Sequence, residues 1–189
     1  MRRASLSCAV SAVAGFAGVV GAQCDPVFLG GYPIPLASNV HIEGSTAYVT
    51  AGPSGFYLIN VADPTNPTLI GMVAPMSQAR NVDVQGDLAL LAGGDRIEVE
   101  CIDISNPSSP THIGMLSPPD THWVGNDVEI MGDLAYVAER NYSGGSNAVR
   151  VLDLTNPTAP VAINTVATPG SPQGLLREGT TLYVADGGS

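Results

Sequence analysis

Lysine is absent from this chain, and beyond residue 22 its basic side chains are Arg80, Arg96, Arg140, Arg150 and Arg177 with three histidines. Against 17 acidic residues the formal net charge is −10. A field of that sign repels phosphate backbones and anionic bilayer surfaces, which argues against nucleic acid or membrane surfaces as partners. Cysteine is nearly as scarce: Cys8, Cys24 and Cys101, with no Cys-x-x-Cys pair. The histidines His41, His112 and His122 form no H-x-x-x-H spacing, so zinc has no sequence signature and no metal site is expected. Asp83, Asp87, Asp95, Glu98, Glu100 and Asp103 crowd one stretch, yet they fall on alternating faces and separate turns, a poor cage for calcium. A G-x-S-x-G elbow is missing, and Gly144-Gly145-Ser146 lacks the lysine and helix of a phosphate loop. No cofactor motif is present. Sustained i, i+3, i+4 apolar spacing is also missing, which excludes helix from nearly all of the chain after its first 22 residues.

Those 22 residues differ from the rest. Met1-Arg2-Arg3 is followed by an uncharged apolar run from Leu6 to Val20, then by small residues at Gly21 and Ala22. That is the form of a secretory signal peptide cleaved after Ala22, placing residues 23–189 in the periplasm, at the cell surface or outside the cell. The run is too short to span a bilayer. Lipidation at Cys24 is disfavoured by Gln23, where such sites need a small residue. A Cys24–Cys101 disulfide is chemically allowed in an oxidising compartment, but Cys101 stands where Leu58 and Val151 stand in related segments, so a buried thiol is the better reading.

What the chain does have is repetition. Leu58-Ile59-Asn60-Val61 with Asp63-Pro64 recurs as Cys101-Ile102-Asp103-Ile104 with Asn106-Pro107, then as Val151-Leu152-Asp153-Leu154 with Asn156-Pro157. The copies lie 43 and 50 residues apart, a period that marks stacked supersecondary units. Each unit splits into four alternating apolar/polar runs separated by Gly, Asp, Asn and Pro. Gly44, Gly86, Gly132 and Gly179 mark the first turn, and prolines follow the third run where the chain must leave a ladder. Four short antiparallel strands per repeat match one propeller blade, whose two apolar faces are buried only by neighbouring blades.

The phrases quoted, preceded by Ala-Tyr-Val and followed by Asp/Asn-Pro, resemble the LVIVD repeat across about residues 25–186. That resemblance implies a β-propeller from a mostly bacterial, secreted or surface-associated family with no assigned reaction. Full repeats are expected at 39–73, 81–116 and 127–167, and partial ones at 25–31 and 174–189. The segment 25–31 reads as a lone fourth strand, and 174–189 as the first two strands of a further blade. The expected fold is therefore all-β, about four four-stranded blades with the last incomplete. Two explanations fit: a fragment of a larger propeller, or a ring that closes or self-associates through the open edge.

Propeller ligands commonly meet the connections that lead from one blade to the next, here 33–39, 74–81, 117–127 and 167–174. The third holds Asp120, His122, the single tryptophan Trp123, and Asn126, with Arg80 and Asn81 at the neighbouring equivalent position. Arg80, Asn81, His122, Trp123 and Asn126 are the candidate binding residues. The expected function is a secreted, non-catalytic module that binds a protein or glycan. The alternatives are an extracytoplasmic hydrolase or lyase using rim carboxylates or histidine, and a structural part of a larger surface protein.

Overall fold

The computed structural model describes residues 28–94, 99–118 and 122–188. The expected signal segment, Cys24, Asp95, Glu98 and Asp120 lie outside the described residues. Fourteen strands form four antiparallel sheets. Blade 1 holds β1 (Asn39–Glu43), β2 (Thr46–Thr50), β3 (Phe56–Asn60) and β4 (Thr68–Val73). Blade 2 holds β5 (Gln78–Gln85), β6 (Leu88–Gly94), β7 (Val99–Asp103) and β8 (Thr111–Leu116). Blade 3 holds β9 (Trp123–Met131), β10 (Leu134–Asn141), β11 (Asn147–Asp153) and β12 (Val161–Thr168). A ribbon of β13 (Ser171–Glu178) and β14 (Thr181–Gly187) follows. Each sheet is a meander in chain order, as short turns between successive strands require.

The local signals act as the sequence implies. Gly44, Gly86, Gly132 and Gly179 sit at φ between 58° and 62°, the left-handed region that L side chains enter only at a cost. Asn60, Asp103 and Asp153 each accept a backbone N–H two residues on, from Ala62, Ser105 and Thr155, closing the turn after the third strand. Asp63 and Asn156 repeat the device, accepting both the N–H and the hydroxyl of Thr65 and Thr158, and Asn106 accepts the Ser108 hydroxyl.

Blades stack through alternate faces. Leu58, Phe56 and Tyr48 of blade 1 pack on Val82, Val84 and Ile102 of blade 2. Leu90, Val99 and Cys101 of blade 2 pack on Val128, Ile130 and Leu152 of blade 3. A smaller cluster of Ala138, Val149 and Leu175 seats the ribbon. Fully burying a Leu, Ile or Phe contributes about 1.5–3 kcal/mol, so these seams hold the arc together. Cys101 is completely buried there, and burial pushes its thiol up to about 12, an unreactive structural group.

The outer strands lodge by a repeated close approach. A Cβ on Gly71 would stand 2.3 Å from the Pro107 carbonyl oxygen, and one on Gly114 2.2 Å from that of Pro157. Gly30 makes the same approach to Pro64 and Thr65. Residues 28–31 thus occupy the place of an outermost strand against the backbone of Pro64 and Thr65 and form no ladder; the rest of the strand expected at 25–31 lies outside the described residues.

Among the described residues the hydrophobic clusters join blade 1 to blade 2, blade 2 to blade 3 and blade 3 to the ribbon, and none joins the ribbon to blade 1, so the arc they form is open.

Candidate binding face at the junction of blades 2 and 3

The connections expected to carry the candidates are partly strand: Arg80 and Asn81 lie in β5, Trp123 and Asn126 in β9, and His122 in the turn just before β9. β5 and β9 stay paired with β6 and β10 to their first residues, Gln78 with Gly94 and Trp123 with Asn141, across a register shift between Ala79 and Asn81 and another between Ala138 and Glu139. Trp123 pairs with Asn141 across the extended end of β9. A bulge of this kind re-aims side chains at a sheet's rim.

Three of the five candidates gather at one rim. Arg80 lies across the end of β6, where a Cβ on Gly94 would meet its Nε at 3.2 Å and Val124 Cγ1 at 3.6 Å. Half-buried Trp123 covers the Arg150 guanidinium, whose carbon is 5.6 Å from the ring centroid. Arg150 is itself buried and pairs with buried Glu139, Nε and Nη2 both 2.9 Å from Oε2. His122 is exposed, and its carbonyl accepts the Tyr142 N–H from the β10–β11 hairpin, whose ring lies 4.6 Å from the Arg140 guanidinium carbon.

The other two candidates are placed elsewhere. Asn126 donates through Nδ2 to the Pro172 carbonyl, 2.9 Å, and latches blade 3 to the ribbon. Ser38 occupies the same repeat position and reaches the Arg80 carbonyl at 3.1 Å. Asn81 hydrogen-bonds the Asp127 carboxylate, from the first strand of blade 2 to that of blade 3.

The first strands hold a group that sequence reasoning did not bring together. Asp83, Asp127 and Glu129 interact where the first strands of blades 2 and 3 lie side by side, with His41 Nδ1 3.2 Å from Asp83 Oδ1. Asp83 accepts the Ile130 N–H and Asp127 the Leu175 N–H, each from the next blade's first strand. Burial pushes the Asp127 carboxyl up, against the N–H groups of Leu175 and Val128, and the Asp83 charge adds to it. Burial and the charges of Asp83 and Asp127 push Glu129 up as well. Among the described residues no group of three or more His, Cys, Asp or Glu is placed to hold a metal ion.

The sign of the pH effect follows. A carboxyl with a raised folded pKa binds more protons in the folded state, so its contribution falls as pH rises through that value. Asp63 and Asp103, held low by the hydroxyl and N–H of Thr65 and Ser105, and Asp153, held low by the N–H and hydroxyl of Thr155, act oppositely: their contribution is present above the ordinary carboxylate range and lost as pH falls. Glu129→Gln is therefore expected to raise Tm at neutral pH and to lose that advantage as pH drops below the ordinary carboxylate range. A Tm offset independent of pH would contradict the assignment.

A second missed group is the residue before each phrase: Tyr57, Glu100 and Arg150. Each sits near the top of its third strand. Glu100, 1% exposed, accepts the N–H groups of Met76 (3.0 Å) and Ser77 (2.7 Å) and lies 3.5 Å from His112 Nδ1. His112 Nε2 reaches the Ala74 carbonyl at 2.7 Å. This clasp fixes the connection from blade 1 to blade 2, as Arg150 underlies Trp123 at the next one. The signal was available: one repeat position carrying three unlike large polar side chains.

Comparison with known proteins agrees with the architecture. No curated protein matches the chain. The computationally designed Ika8 protein superposes with a TM-score of 0.61 at 9% identity, over 85% of this chain and 45% of that one. The designed Ika4 protein gives 0.61 at 8% identity, over 84% and 89%. The Myceliophteria thermophila Cps50 (Swd1) beta-propeller domain gives 0.58 at 10% identity, over 74% and 43%. The chain thus spans less than half the length of Ika8 and of the Cps50 chain. The LVIVD repeat model matches residues 36–74, 77–116 and 125–168, one match to each four-stranded blade. A seam phrase that buries its aliphatic residues between blades, an Asx turn after it and three such matches in succession make this chain a member of the LVIVD repeat family, folded as an arc of a β-propeller.

Proposed function

We propose that the chain is a secreted, non-catalytic propeller module that binds a protein or glycan at the rim between blades 2 and 3. The observation that carries this reading is the Trp123 ring, half exposed and seated over the buried Arg150–Glu139 pair. A ring held that way is a rigid platform whose open face stacks on a sugar or an aromatic side chain at small entropic cost. Exposed His122, with Tyr142 and Arg140 beside it, supplies hydrogen-bond donors and aromatic surface around it. Secretion follows from the basic and apolar first 22 residues.

The single tryptophan makes the reading directly testable. Titrating soluble glycans and extracellular peptides should shift Trp123 emission for the true ligand class, and a panel that never perturbs it defeats the proposal. His122→Ala with Trp123→Ala is expected to abolish binding measured by calorimetry. Binding unchanged in that double variant places the site elsewhere. A hydrolase or lyase reading has one observation in its favour, the neighbouring Asp127 and Glu129 carboxyls, both pushed up by burial. Turnover of a glycan or ester panel that disappears in Glu129→Gln would favour it over binding alone.

A further inference from the structure

The arginines of the described residues divide in two. Arg150 pairs with Glu139, and Arg177 faces Glu129, whose charge it stabilises. Arg80 and Arg140 have no carboxylate within ion-pair distance among the described residues. Acidic side chains outnumber Lys and Arg by 17 to 7 in this chain, so pairing would be the ordinary fate of a surface guanidinium. Both unpaired cations flank Val124, the residue after Trp123. Arg80 Nε and Val124 Cγ1 stand 3.2 and 3.6 Å from one point, the place that a Cβ on Gly94 would take. Arg140 pairs with Val124 across β9 and β10, one step from the pairing of Trp123 with Asn141. Its guanidinium carbon lies 4.6 Å from the centre of the Tyr142 ring, which is 53% exposed. Two cations without counter-charges thus stand at the junction that carries the aromatic platform.

We propose that this rim binds a short glycan bearing isolated carboxylates, with a sugar ring stacked on Trp123 and its carboxylates held by Arg80 and Arg140. The proposal rests on the rim being the binding site, and adds the charge of the ligand. A guanidinium presents a planar fork that matches a carboxylate with two parallel N–H···O bonds. The half-exposed indole supplies the flat apolar surface that the C–H side of a pyranose ring covers. The charge of the whole chain selects within the anions. A net charge of −10 repels dense polyanions and acidic protein surfaces as they approach. One or two carboxylates on an otherwise neutral saccharide meet chiefly the two local cations, because salt screens exposed charges beyond about 8 Å at physiological ionic strength.

Calorimetry and Trp123 emission with three matched pairs of probes test this. The pairs are trigalacturonic acid and its methyl ester, sialyllactose and lactose, and a xylo-oligosaccharide with and without a glucuronic acid branch. At least one acidic member is expected to bind about tenfold or more tighter than its neutral partner, the increment of a hydrogen bond to a charged group. That advantage should shrink as salt is raised. Arg80→Gln and Arg140→Gln should each reduce it severalfold with an unchanged thermal transition, since neither guanidinium is paired in the fold. Acidic and neutral members that shift Trp123 alike overturn the charge assignment and leave the platform standing as a binding site. An Asp- and Glu-rich peptide that binds where no acidic saccharide does puts a protein in place of the glycan and overturns the proposal. No emission change with any probe, in a chain whose circular dichroism spectrum is that of a folded β protein, overturns both readings.

Discussion

Gly114→Val is expected to be among the most damaging single substitutions in the chain, although the glycine is only half-buried and lies in an outer strand. The first atom added would stand 2.2 Å from the Pro157 carbonyl oxygen, well inside contact distance. The neighbour is backbone held in an Asx turn by Asn156, so it does not move aside as a side chain does. Separating blades 2 and 3 at that point costs roughly 3 kcal/mol, the upper end of ordinary overpacking. Gly114→Ala should show most of the same loss. Two comparisons separate close approach from general glycine effects. Gly86→Ala meets nothing within 4 Å and carries only the strain of φ 60°, about 1–2 kcal/mol. Asn164→Ala, at the equivalent place on blade 3, should stay within about 0.5 kcal/mol as an exposed surface change. Urea unfolding of the three variants measures the order. If Gly114→Ala proves no worse than Gly86→Ala, the inter-blade contact has no energetic weight.

The same comparison shows which parts of this molecule are legible in its sequence. Turn glycines, Asx residues and alternating strands are local devices: Gly86 needs only its own φ, and Asp103 closes on Ser105 two positions away. The blade, its seam phrase and their order were therefore readable. Contacts that pass between blades were not, because they join residues one repeat apart through faces that depend on stacking. Asp83 holds the Ile130 N–H and Asp127 the Leu175 N–H, at separations of 47 and 48 residues. Read along the chain, Asp83 stood in the acidic stretch of the second repeat and Asp127 apart from it; in the fold both tie one first strand to the next. Glu100 was counted with that same acidic stretch, yet it is sealed under the connection from blade 1. At the rim, Arg80, His122 and Trp123 were grouped by repeat alignment, and the fold does bring them to one junction. Asn81, one position from Arg80, leaves the opposite face of its strand, and Asn126 stands at the register shift of β9 and reaches Pro172 of the ribbon. Residues 28–31 match a fourth strand in pattern and in their glycine seat, where Gly30 approaches Pro64 and Thr65.

Arg150→Met should produce the second large effect, and it links stability to the rim. Val137 of β10 packs in the seam with blade 2, and Glu139, two residues on, points the same way. Its carboxylate is wholly buried and pairs with the Arg150 guanidinium at 2.9 Å. Removing that cation while the carboxylate stays buried costs about 3–5 kcal/mol, far more than the pair contributes when intact. Replacing both partners, Glu139→Leu with Arg150→Met, should bring stability back to within about 1 kcal/mol of the parent, because neither charge then has to be desolvated. The single variant should also become less damaging as pH falls, since a buried carboxyl without its cation has a raised pKa and regains stability on protonation. Urea unfolding at neutral and mildly acidic pH tests both statements. Trp123 separates this structural role from the proposed binding one. Its ring loses the guanidinium beneath it in both variants, so the double variant should fold as well as the parent while its tryptophan emission shifts and its ligand affinity falls. A double variant as unstable as Arg150→Met alone would mean that packing, not the buried charge, sets the cost. Unchanged emission in a folded double variant would mean that Arg150 does not hold the platform.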